Sequence, residues 1–137
     1  MKLTNGIKIL LTVLFIGASV VGFMVKLPSA FRHSDKGMHT LYYFLAAAFL
    51  NFLFAGKNII RHGVIFIALY VFGVAIEYAQ EYSNTFFRKK IHGRYDVEDI
   101  DANLKGLIYF SAVWVAIVGL WFIVNKFRVA KANDTGL

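Results

Sequence analysis

Asp35, His39 and Tyr43 are spaced i, i+4, i+8, which on a helix sets a carboxylate, an imidazole and a phenol in one stripe. Lys36 places an ammonium beside them. An imidazole next to a carboxylate can serve as a general base, because the acid fixes its tautomer and its charge changes near neutral pH. Farther along, Glu77 and Gln80 lie three residues apart. Arg94 then precedes Asp96, and Asp99, Asn103 and Gly106 recur at i, i+4, i+7 on a common helical face. Two chemistries follow from these types. Lys36 and Arg94 suit a phosphate group. His39, Glu77 and Asp99 make a donor set for a divalent cation that binds or activates an oxygen ligand. Each residue also has a plainer role. Asp35 can cap a helix, Tyr43 can be an interfacial aromatic, and Glu77 and Gln80 can sit at the membrane edge. Glu81, Glu98 and Asp101 read as solvated or capping acids.

The elements that must position these residues are apolar. The chain has 137 residues, 58% of them hydrophobic, and no cysteine, which excludes disulfides, thiolate metal sites and thiol catalysis. Its mean hydropathy of +0.60 is too high for an ordinary soluble domain. Four apolar runs, about 7–25, 38–54, 64–80 and 107–124, are each long enough to cross a ~30 Å hydrocarbon layer as helices. The expected fold is all-α, a four-transmembrane-helix bundle in a single domain over 1–137, with a basic tail at 125–137. Four crossings bring the start of the second run, the end of the third and the start of the fourth to one face. They gather the scattered polar residues into one layer there.

The net charge of +7 does not point to nucleic acid, because the cations lie at the ends of apolar runs, where they anchor to headgroups. The first run reads as a retained anchor, since it is longer than a signal-peptide core and no small-residue cleavage site follows it. Lys and Arg divide seven to eight between the two faces, so the positive-inside rule is tied. The basic tail favours cytoplasmic termini, with the polar layer facing outward. The 25-residue segment 81–105 is the longest expected connection, and a loop of that length between tight spans is functional or disordered.

Asp35-Lys36-x-x-His39-x-x-x-Tyr43, then Glu77-x-x-Gln80, then Arg94, then Asp99-x-x-x-Asn103-x-x-Gly106 resembles the VanZ-like family over about 35–110. The resemblance implies a small multi-pass protein of the bacterial cytoplasmic membrane, related to one associated with teicoplanin (glycopeptide) resistance. It implies no reaction. This chain departs from the family in its proline-free, lysine-rich 81–93 stretch, in a shorter Arg94-to-Asp99 spacing, and in Lys105 where the family is usually apolar.

Three functions compete. The first is binding or handling of an anionic cell-envelope lipid or lipid-linked precursor, through Lys36, Tyr43, Gln80, Arg94 and Asn103, with a divalent cation as a further element. The second is a membrane hydrolase or transferase acting on a lipid phosphate, with His39, Asp35, Glu77 and Asp99 as catalytic candidates. The third is a structural or accessory protein, its polar residues stapling helix ends. A transport role would require a homo-oligomer. No P-loop, nucleophile elbow or H-E-x-x-H zinc signature is present.

Overall fold

The computed structural model describes residues 3–24, 34–88 and 95–134. They form four helices, α1 (Asn5–Met24), α2 (Asp35–Leu50), α3 (Ile59–Phe87) and α4 (Val97–Asp134), with no strand among the described residues. All four are long and apolar enough to cross a membrane. The protein is therefore an all-α, multi-pass membrane bundle.

The helices outrun the spans expected from hydropathy. At ~1.5 Å per residue, α3 and α4 exceed the ~30 Å hydrocarbon layer. Hydropathy marks only the part of a helix that lipid surrounds. The polar turns beyond it are held by local caps. Asp96 opens α4, its Oδ1 accepting the Glu98 N–H at 2.8 Å and its carbonyl accepting from Asp99 and Ile100. Glu98 and Asp99 lie in that first turn, where the helix dipole favours negative charge. Asn58 caps α3, its Oδ1 accepting the Arg61 N–H at 3.0 Å. Arg88, in the left-handed conformation, ends α3. The expected 81–105 connection thus shrinks, because both flanking helices grow into it.

The α2–α4 pair is the closest in the bundle. Gly106 permits this: a Cβ there would fall on the Thr40 carbonyl oxygen and 3.0 Å from the Phe44 nitrogen. Thr40 Oγ1 donates to the Ala102 carbonyl at 3.0 Å across the same contact. Tyr43, Ala46, Ala47, Leu107 and Phe110 fill the interior beneath. α2 ends in a π-helical turn, Asn51–Ala55, and Gly56 reverses the chain at φ 56. α1 lies at the periphery, Ser19 being its one buried residue among those described. Large apolar side chains cover the outside of all four helices, as lipid contact requires.

Candidate functional site

Three helix ends meet in one polar layer. α2 supplies Asp35, Lys36, His39 and Tyr43 from its first three turns and α3 supplies Glu77 and Gln80. α4 supplies Asp99 and Asn103, with Asp96 just before it. His39, Tyr43, Glu77, Gln80, Asp99 and Asn103 are all buried, although they are polar and near lipid.

His39 is at the centre. Its Nδ1 lies 2.8 Å from Asn103 Oδ1. The Asn103 oxygen only accepts, so Nδ1 is the donor, and in the neutral imidazole Nε2 keeps its lone pair. That lone pair faces two carboxylates, Asp35 Oδ1 at 3.8 Å and Asp99 Oδ2 at 4.0 Å. Neither distance is a hydrogen bond. The three side chains offer one ligand atom each within 4.8 Å of one another.

Lys36 is already engaged. Its Nζ donates to Asp96 Oδ2 and to Asp99 Oδ1, both at 2.6 Å, and stands 3.5 Å from Glu98 Oε2. The ammonium holds the Asp96 carboxyl below the usual carboxylate range, against partial burial and with help from the Glu98 N–H.

Glu77 is fully buried. Its Oε2 accepts the Asp96 N–H at 3.1 Å, while Oε1 has no partner among the described residues. The Asp96 contact sets Glu77 beside the turn whose Asp96 and Asp99 hold Lys36. The Tyr43 hydroxyl is likewise buried and unpartnered among the described residues. It neighbours the Asn103 amide at Gly73, where a Cβ would stand 2.9 Å from both Tyr43 Oη and Asn103 Nδ2. Gln80 points elsewhere, its Nε2 donating to the Phe23 carbonyl of α1 at 2.8 Å. The Phe23 ring closes the layer over His39, with centroids 5.2 Å apart.

The structure thus brings Asp35, Lys36, His39, Tyr43, Glu77, Asp99 and Asn103 together and turns Gln80 to a helix contact. Arg94 lies outside the described residues. Asp96 proves central, as cap, as partner of Lys36 and as donor to Glu77. Its place in an acid-rich run hid this.

A second polar group occupies the opposite end of the bundle. His62 Nδ1 lies 2.8 Å from Asn51 Oδ1 and its Nε2 3.1 Å from Ser111 Oγ, and the ring stacks on Trp114 at 4.3 Å. Both ring nitrogens have partners, and Trp114 Nε1 donates to the Gly56 carbonyl at 3.2 Å. Sequence reading missed this group. Asn51 and His62 stand at the ends of apolar runs like ordinary interfacial residues, and only the reversal at Gly56 pairs them.

Fold and layer define a class, the multi-pass helical membrane protein with a buried ionisable site at one end of its bundle. No family model, no curated protein and no solved structure matches the chain.

Proposed function

We propose that the polar layer is a ligand site for the headgroup of an anionic cell-envelope lipid or lipid-linked precursor. The protein would serve in the bacterial cytoplasmic membrane as a VanZ-like protein, with the link to glycopeptide resistance that this resemblance implies. One observation carries the reading. Glu77 Oε1 and Tyr43 Oη are buried and aimed at no protein partner among the described residues. An unsatisfied buried polar group costs ~1–3 kcal/mol, and a buried carboxylate more. Interhelical polar contacts in membrane bundles return ~0.6 kcal/mol on average. A staple built this way loses more than it gains, whereas a ligand site leaves the Tyr43 hydroxyl free to donate to a phosphate oxygen and the Glu77 carboxylate free for a bridging cation.

Tyr43→Phe removes only the unpartnered hydroxyl and leaves the packing intact. Native mass spectrometry of the purified protein, offered phosphatidylglycerol and a polyprenyl phosphate, is expected to show several-fold lower retention in Tyr43→Phe and in Arg94→Ala. Retention at the wild-type level in both variants removes the proposal.

One feature favours a second reading, catalysis. The Asn103 contact holds His39 in the tautomer whose Nε2 can take a proton. Hydrolysis of a lipid phosphate by the purified protein, abolished in His39→Ala, is the expected sign of it.

A further inference from the structure

We infer that Asp35, His39 and Asp99 form a binding site for a divalent first-row transition cation. The inference rests on the polar layer's being a ligand site, but not on its ligand's being a lipid.

Charge is the first argument. Asp35 and Asp99 face His39, Asp96 and Glu77 lie beyond Asp99 in the same layer, and Lys36, the one ammonium among them in the described residues, is bound to Asp96 and Asp99. Carboxylates outnumber cations in a layer that is only partly open to solvent, and such an excess draws a positive ion. Geometry is the second. The 3.8 and 4.0 Å separations from His39 Nε2 are too long for hydrogen bonds. They match two metal–ligand bonds of ~2.0–2.2 Å laid end to end, and the three ligand atoms lie within 4.8 Å of one another, so a small inward adjustment lets one ion touch all three. The third argument is the outer contacts. His39 gives its other N–H to Asn103 and Asp99 gives its other oxygen to Lys36. Metal-bound imidazoles and carboxylates are oriented by contacts of this kind. Independently of the cluster, Glu77 presents a buried oxygen that no described group satisfies. An imidazole with carboxylates suits zinc or manganese better than magnesium, which prefers an all-oxygen shell.

The His39 lone pair cannot hold an ion and accept a proton at once, so the cation displaces the general-base reading of that nitrogen. It also supplies a positive charge for a phosphate, which Lys36, bound to acids, has little freedom to give.

The test uses the full chain in detergent, stripped with chelator and titrated calorimetrically with Zn²⁺, without added lipid. One ion per chain is expected, with X-ray absorption showing one imidazole nitrogen among oxygen ligands. Affinity falls tenfold or more in His39→Ala and in Asp35→Asn, and ~10–100-fold in Asn103→Ala, a positioning residue. Asp35 is 34% exposed in its side chain, so Asp35→Asn decides the matter if His39→Ala does not fold. Absence of stoichiometric binding, an all-oxygen shell, or wild-type affinity in Asp35→Asn overturns the inference. Lipid retention is then compared in the stripped and loaded protein. Ion binding without lipid retention in either form supports the cation site and sinks the lipid reading alone.

Discussion

Glu77 is the residue on which the competing functions differ most sharply. It is fully buried, and one of its oxygens is satisfied by the Asp96 N–H. Glu77→Gln keeps that acceptor and removes the charge. In chelator-stripped protein the change is expected to stabilise by about 1–3 kcal/mol and raise the thermal midpoint, because an uncompensated buried carboxylate is relieved. In Zn²⁺-loaded protein the gain is expected to shrink, because the ion's charge already offsets the carboxylate. A staple predicts a fall in both conditions, so melting curves with and without the ion separate the readings. Asp96 makes a complementary case. Lys36 depresses its folded-state value below the unfolded ~3.9, so its contribution is whole above that pH and fades as pH falls through the lower, folded value. Asp96→Asn keeps the helix cap without the charge. The gap in midpoint between wild type and variant is expected to be widest above the unfolded carboxylate value and to narrow as pH falls below it. A gap that stays constant across that range excludes the Lys36 pair as its source. The core ionisable set was legible from spacing alone, since i, i+4 intervals on two helices set its members in stripes. That Lys36 is held by acids was not legible, because the acid-rich turn that holds it lies some sixty residues away.

The elements place these groups through two close approaches. Gly106 lets α4 rest against the α2 backbone at Thr40, and Gly73 leaves room for Tyr43 and Asn103. Gly106→Ala sets a methyl on backbone, which cannot swing aside, and is expected to destabilise by ~1–3 kcal/mol in detergent unfolding. Gly73→Ala meets movable side chains. It is expected to cost less stability and yet to weaken cation affinity, because the amide it displaces orients His39. At the other end, His62→Ala empties a group with both nitrogens satisfied and is expected to cost ~1–3 kcal/mol with cation affinity unchanged. A loss of affinity in His62→Ala at intact fold would couple the two ends and contradict the separation drawn between them. The spans themselves were visible as apolar runs. Their true ends were not, because they depend on caps such as Asp96 and Asn58, which hydropathy treats as loop.

At the scale of the molecule, charge divides unevenly between the two membrane faces. Asp35, Glu77, Glu81, Asp96, Glu98, Asp99 and Asp101 all belong to the face that carries the polar layer, leaving Asp134 the one acid on the other side. Lys and Arg divide almost evenly, so the net charge of +7 comes almost wholly from the face of the termini. The positive-inside rule counts only the cations and is blind to this asymmetry. A cation drawn to the bundle therefore meets a near-neutral, acid-rich face on one side and a strongly basic one on the other. If the α2–α4 contact exists in the membrane, single cysteines replacing Glu98 and Lys36, on opposite sides of that contact, must label from the same compartment. A cysteine replacing Lys57, beside the Gly56 turn, must label from the opposite one. The chain has no native cysteine, so each reading is unambiguous. Labelling of positions 36 and 98 from opposite compartments would dismantle the shared layer and every function proposed for it. Labelling in the expected pattern also fixes orientation, with position 57 reporting the compartment of the termini. Carried out with and without Zn²⁺, the experiment adds one more expected outcome. A cysteine replacing Glu98 labels at the same rate in both conditions, because Glu98 is exposed and stands outside the proposed ligand shell. Slower labelling there in the presence of the ion would move the shell outward to the rim and count against the Asp35, His39 and Asp99 site.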